Sequence, residues 1–232
     1  MPNLPPKNRI DVAWSDVVSF LRQLSHDIRN HLNAAELQAA YLGELAESAE
    51  MKEEVKRLRE MIGEVSKALQ AVTSRAAGIS PTRIRYRCAN LIEDVKQRLD
   101  SLGKRDATEW DVQAGDAEIE IDPQLLQEAL LELFTNAFLY RSGEEVMLAI
   151  AKIENGKFSF TLREPKKEFD ADTRNWGRQP LRKVGRGRYG LGLNRVRMIV
   201  EANDGSFNAK YDAKASTLLS RIVIPLAKPP SA

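Results

Sequence analysis

His26 is the residue best placed for covalent chemistry in this 232-residue chain. It follows Ser25, precedes Asp27 and lies four residues before Asn30 in a stretch without proline, so on a helix His26 and Asn30 share a face one turn apart. An exposed imidazole beside a carboxylate is suited to attack a phosphoryl group, the acid fixing the ring tautomer and accepting its proton. A solvated His–Asp pair with no function would read the same way, so these residues alone do not decide. A second feature is Gly190-Leu191-Gly192-Leu193 ahead of a helical stretch, where glycines let backbone N–H groups approach phosphates at a helix N-terminus. Between Arg163 and Arg197 there are eleven Lys or Arg against four Asp or Glu, a surplus that attracts anions such as nucleotides, acidic partners or nucleic acid.

Composition narrows the chemistry. One cysteine, Cys88, and two histidines cannot assemble a four-ligand zinc site of the Cys and His type, nor an intrachain disulfide. Any metal is expected on oxygen ligands. The hydrophobic fraction of 43% and charged fraction of 29% are those of a folded globular protein. No apolar run is long enough to span a membrane and Met1–Lys7 lacks a signal-peptide core, so the chain is expected in the cytoplasm with no membrane contact.

The elements that must hold these residues follow from periodicity. Residues 11–77 contain no proline, and two apolar series step by alternating fours and threes. The first is Val17, Leu21, Leu24, Ile28, Ala35 and Leu42, with His31 and Gln38 completing the register. The second is Met51, Val55, Leu58, Ile62, Val65, Leu69, Val72 and Ala76. They predict a helical hairpin turning near residues 46–49. With Leu24 in the seam, His26 points to solvent. Narrow seams leave such a hairpin half exposed, so pairing of two chains into a four-helix bundle is expected. Residues 78–81 (Gly-Ile-Ser-Pro) read as a linker.

From 82 to 228 the pattern changes to short strands at Arg83–Arg87, Ala117–Ile121, Val146–Ile153, Lys157–Leu162 and Leu218–Leu226. Helices are expected at Asn90–Leu102, Pro123–Tyr140 and Leu191–Ala202. The fold class is therefore α+β, a helical hairpin followed by an α/β sandwich with one mixed sheet covered by helices. Residues 164–188 have no clear period and read as a lid or binding loop.

Ser25-His26-Asp27-Ile28-Arg29-Asn30, followed by Leu32-Asn33-Ala34, resembles the phosphoacceptor box of histidine kinases. Asp122 to Ala137 resembles the Asn-bearing helix of the same kinases, whose nucleotide fold is shared with gyrase-type ATPases. The resemblance extends from residue 14 to 226, so no sensor domain is expected within these 232 residues. It implies a two-component signalling protein in which His26 carries the phosphoryl group, Asp27 assists, and Asn30 positions water. For ATP and Mg²⁺ it implies Asn136 as metal ligand, Glu132 as a water or metal contact, Gly190 and Gly192 as the phosphate loop, and Thr217 opening the last strand. A response-regulator receiver domain is the implied partner.

The departures from that pattern are His31 in place of a helix-bending proline, Leu139 in place of a basic residue, and Arg188 in place of a loop glycine. Most consequential are Glu164 where an adenine-binding Asp belongs and Lys166 where a Gly belongs. The longer carboxylate and the added side chain both oppose the base. Three functions stay open: an autokinase phosphorylating His26 from ATP, a phosphotransferase that relays through His26 without ATP, and a structural or inhibitory partner of another kinase. Nucleic acid fits least, since only Trp176 and Tyr189 offer aromatic platforms in the basic segment.

Overall fold

The computed structural model describes residues 12–141, 143, 145–169, 172–181 and 190–228. The chain divides into two compact units, Met1–Ala77 and Gly78–Ala232. The first is a helical hairpin of α1 (Trp14–Leu45) and α2 (Ala49–Ala76). Ser48 caps α2 by accepting a hydrogen bond from the Met51 amide at 3.1 Å, satisfying one of the donors that a helix start leaves without a partner. With no proline to remove a backbone donor, α1 runs unbroken through His31.

The seam between the two helices corrects the expected register. On α1 the buried or half-buried positions are Trp14, Val17, Val18, Leu21, Ser25, Ile28, Leu32, Glu36, Ala39, Ala40 and Gly43, and on α2 they include Val55, Ile62, Leu69 and Thr73. Leu24 is 40% exposed, as are Leu42, Met51, Leu58 and Val65 to similar or greater degrees. Each helix thus carries two apolar stripes side by side. One closes the hairpin, and the other, through Phe20, Leu24 and Leu42 on α1 and Met51, Leu58 and Val65 on α2, is exposed in the single chain. The sequence pattern had merged them, because Leu21 and Ile28 lie on the border of both.

The second unit contains, in order, β1 (Ile84–Arg87), α3 (Cys88–Ser101), a 3₁₀ turn at Arg105–Ala107, β2 (Thr108–Gln113), β3 (Glu118–Ile121), α4 (Pro123–Leu139), β4 (Met147–Glu154), β5 (Lys157–Pro165), α5 (Gly192–Ala202), β6 (Ser206–Asp212) and β7 (Thr217–Pro225). In place of one mixed sheet there are two. β1 pairs with β3 as an antiparallel ribbon, and the main sheet has the order β2-β4-β5-β7-β6 with only the β2–β4 pair parallel. The strands β2 and β6 had not been expected. Asp122 caps α4, accepting from the Leu125 amide at 3.0 Å, and Pro123 follows at the first helical position, where its missing N–H costs nothing.

One core joins Leu91, Ile92 and Val95 of α3, Leu126, Leu130 and Phe134 of α4, and Val196, Ile199 and Val200 of α5 to the inward residues of the sheet. On β5 those inward residues are Phe158, Phe160 and Leu162. Side chains alternate across a strand, and β5 extends beyond Leu162 to Pro165, so Glu164 has the same parity and is also buried. The lid expected from residue 164 therefore begins later: Glu164 pairs with Leu218 and Pro165 with Thr217 of β7.

Cys88 is fully buried at the start of α3, and burial pushes its thiol up to about 12. Because the thiolate is the reacting species, the native protein should resist a disulfide reagent at about pH 8. Modification is expected only at the rate of unfolding, measured by absorbance with and without denaturant.

Candidate functional site

The residues singled out by the sequence fall into one cluster on the hairpin, around His26, and two in the second unit, around Asn136 and around Glu164. On α1 the His26 side chain is 66% exposed. Its Nδ1 lies 3.3 Å from Asp27 Oδ1 and 3.4 Å from Asn30 Nδ2. Gln23, one turn before Asp27 and not recognised in the sequence, donates to Asp27 Oδ1 at 2.9 Å. The Gln23 amide first, and His26 second, hold the Asp27 carboxyl below its ordinary value. An ionised Asp27 accepts a proton-bearing Nδ1, and that tautomer leaves the lone pair on Nε2 at the opposite edge of the ring. Asn30 cannot donate to Nδ1 in that state, so its amide is available to another acceptor.

The base of this site is fixed from beneath. Ser25 is buried, and its Oγ lies 2.5 Å from Thr73 Oγ1 on α2. Since the Thr73 hydroxyl donates to the Leu69 carbonyl at 2.9 Å, Ser25 is the donor of the pair. The residue before His26 is thus tied to the second helix, and the residue after it to Gln23.

In the second unit Glu132 and Asn136 lie one turn apart on α4. Asn136 Nδ2 donates to the Glu132 carbonyl at 2.8 Å and faces the Glu132 carboxylate at 3.3 Å, which turns the amide oxygen, the atom a hard cation would use, away from Glu132. A Cβ on Gly192 would stand 2.0 Å from Glu132 Oε1, so a glycine at the start of α5 is what lets that carboxylate lie against the helix N-terminus. Asn136, Glu132 and Gly192 are therefore brought together, with Gly190 just ahead of α5. Among the described residues no group of three or more His, Cys, Asp or Glu is placed to hold a metal ion. Gly187, Arg188 and Tyr189 of the expected glycine loop lie outside the described residues.

Thr217 starts β7, and its hydroxyl donates to the Ala215 carbonyl at 2.8 Å. It lies opposite Pro165, next to Glu164 and Lys166. Glu164 Oε1 and Lys166 Nζ form an ion pair at 2.6 Å, with side chains only 9% and 7% exposed. The Lys166 ammonium also donates to the Tyr140 carbonyl at the end of α4. Burial raises the Glu164 carboxyl above its usual value, opposed by the hydrogen bond and charge of Lys166. The backbone of Lys166 is pinned as well, by its amide to Ser216 O at 2.7 Å and its carbonyl to the Tyr211 hydroxyl at 3.0 Å.

Part of the expected lid has a defined seat. Trp176 packs between Phe169 and the core, Asn194 donates to Gly177 O at 2.9 Å, and the Arg197 guanidinium donates to the carbonyls of Trp176 and Phe207. Gly177 has φ +73°, and a Cβ there would sit 2.4 Å from Leu193 O. Gly177→Ala is expected to cost about 1–3 kcal/mol and to increase tryptic cleavage near Arg174 and Arg178, read from urea melts and limited proteolysis.

The arrangement of hairpin, sheet and helices is the catalytic-core fold of histidine kinases. Full-length ShkA, solved in complex with AMPPNP, matches with a TM-score of 0.69 and 22% identity over 92% of this chain. The match covers 47% of ShkA, so this chain spans about half of that protein. The mycobacterial sensor histidine kinase MprB matches at 0.53 and 17% identity, covering 64% of this chain and all of that one. The histidine kinase AdeS of Acinetobacter baumannii matches at 0.50 and 14% identity, covering 88% and 98%. No protein-family model matches the chain, and no curated protein does. Among the described residues no helix is long and apolar enough to cross a membrane.

Asn136, with Glu132 and Gly192 beside it, has the donor chemistry for a phosphate-bound Mg²⁺. The Glu164 carboxylate is held by Lys166, whose side chain spans from just past the end of β5 to the end of α4.

Proposed function

We propose that this is a two-component phosphotransfer protein, working in the cytoplasm as a homodimer through the hairpin, in which His26 receives and passes on a phosphoryl group shared with the Asp of a response-regulator receiver domain. The observation that carries this reading is the exposed imidazole with Nδ1 turned to an ionised Asp27. In the transfer, Nε2 attacks the phosphorus of the aspartyl phosphate, the N–P bond forms, the P–O bond to the receiver carboxylate breaks, and that carboxylate departs. The proton stays on Nδ1, where Asp27 stabilises the positive charge the ring acquires. The exposed stripe of Leu24, Leu42, Leu58 and Val65 supports pairing of two hairpins.

The source of the phosphoryl group divides two readings. The buried Glu164–Lys166 pair favours a relay that needs no adenine nucleotide. The preserved contact of Asn136, Glu132 and Gly192 favours a protein-histidine kinase acting with ATP and Mg²⁺. Radiolabelled ATP with Mg²⁺ and a radiolabelled phospho-receiver, offered separately, distinguish them. The relay predicts label from the receiver alone, lost in His26→Gln and kept in Asn136→Ala; Asp27→Asn should slow transfer about 10²-fold. Label from ATP that disappears in Asn136→Ala would select the kinase, and label that survives His26→Gln would reject both.

A further inference from the structure

We propose that Lys166 is a built-in occupant of the base-binding end of the nucleotide site, so that the second unit is closed to adenine by its own chain. An exocyclic amine offers a carboxylate a hydrogen-bond donor, and Lys166 Nζ presents the same atom type to Glu164 at 2.6 Å, with a positive charge added. The ammonium also takes the Tyr140 carbonyl, four residues beyond Asn136 on the helix that would flank the base. It therefore bridges the end of β5 to the end of α4 across the space beside Glu164.

Three features make this a fitted arrangement in place of a chance surface contact. The strand alternation that buries Phe158, Phe160 and Leu162 carries Glu164 inward, so its carboxylate has little water to turn to. The backbone of Lys166 is held by Ser216 and Tyr211, which fixes the root of the side chain. Both side chains are more than nine-tenths buried, so an entering base would have to displace the ammonium and leave that charge without its buried partners. The longer Glu suits this role, since a side chain one methylene beyond Asp reaches an ammonium rooted two residues further along the chain, just past the end of β5.

The second unit then serves the protein as a scaffold whose nucleotide site is filled internally, and nucleotide levels do not gate the phosphotransfer at His26. Calorimetry on the full chain with ATP and ADP, each with Mg²⁺, should give no saturable binding tighter than about 1 mM. Glu164→Asp with Lys166→Gly shortens the carboxylate and empties the space, and should tighten binding at least about tenfold. Lys166→Arg keeps a cation in place and should stay closed.

Hydrogen exchange of the wild-type protein with and without ATP needs no variant, and should show no added protection at residues 136–141 or 162–166. Micromolar binding by the wild type, nucleotide protection at those residues, or a folded double variant that gains no affinity would each overturn the proposal. Transfer from a phospho-receiver to His26, followed in the same samples, reports separately on the phosphotransfer reading.

Discussion

Lys166→Ala should destabilise the second unit by about 3–5 kcal/mol, because it leaves the buried Glu164 carboxylate without its counter-charge. Exchanging the pair for apolar residues of similar size, Glu164→Leu with Lys166→Met, should bring stability back to within about 1 kcal/mol of wild type, since both desolvation costs vanish together. The pH dependence has a definite sign. Burial raises the folded-state carboxyl of Glu164 above its ordinary value of 4.5, so the stability tied to its proton is fully present below that value and is lost as pH rises through the folded one. Deleting Lys166 removes the hydrogen bond and charge that oppose burial and moves the folded value further up. The gap between Lys166→Ala and wild type should thus be widest at neutral pH and shrink on acidification toward 4.5, as urea melts across that range would record. A gap independent of pH would mean that packing of the lysine stem, and not charge, sets the loss.

Placing a charge in the exposed stripe of the hairpin should separate the protomers. In a two-fold pair each residue of the seam occurs twice, so Leu24→Asp costing about 2 kcal/mol per copy weakens the dimer by about 4 kcal/mol, or about 10³-fold. Sedimentation at tens of micromolar should find wild type dimeric and both Leu24→Asp and Val65→Asp monomeric. The hairpin of each variant should persist by circular dichroism, because Leu24 and Val65 are exposed in the single chain and Leu21, Ile28 and Leu69 close its own seam. Loss of helix together with loss of the dimer would place these residues inside the hairpin.

The helices were legible in the sequence because their apolar periods run long and unbroken, and α4 also announces itself with an Asp-Pro start. The assignment of stripes was not legible. A helix that packs on two neighbours carries two overlapping periods, and a single 3–4 series drawn through Leu21, Leu24 and Ile28 mixes them. The strands β2 and β6 escaped because both are edge strands of the main sheet: Thr-Glu-Trp-Asp-Val-Gln and Ser-Phe-Asn-Ala-Lys-Tyr-Asp each have one covered side, and polar residues at the remaining positions mute the alternation.

In the candidate site, the approach of Asn30 to His26 follows from helical spacing, and Gln23 sits at the same i, i+4 interval from Asp27, while His26 and Asp27 meet as neighbours in sequence. The inward direction of Glu164 was also written in the chain, as Phe158, Phe160, Leu162 and Glu164 keep one parity. The strand end expected at Leu162 and the lid expected from residue 164 obscured it. That Lys166 reaches Tyr140, 26 residues away and on another element, depends on how β5 and α4 pack, which no local pattern encodes.

The claim on which the account turns is that the Nε2 edge of His26 carries the phosphoryl group. Phosphorus NMR of the full-length protein after incubation with a phosphorylated receiver domain, followed by peptide mapping under alkaline conditions that preserve phosphoramidates, tests it most directly. The account predicts one acid-labile phosphohistidine signal of the Nε2 type, mapping to the peptide containing His26 and missing from His26→Gln. A signal mapping to His31, a phosphoester on serine or threonine, or an undiminished signal in His26→Gln would contradict it.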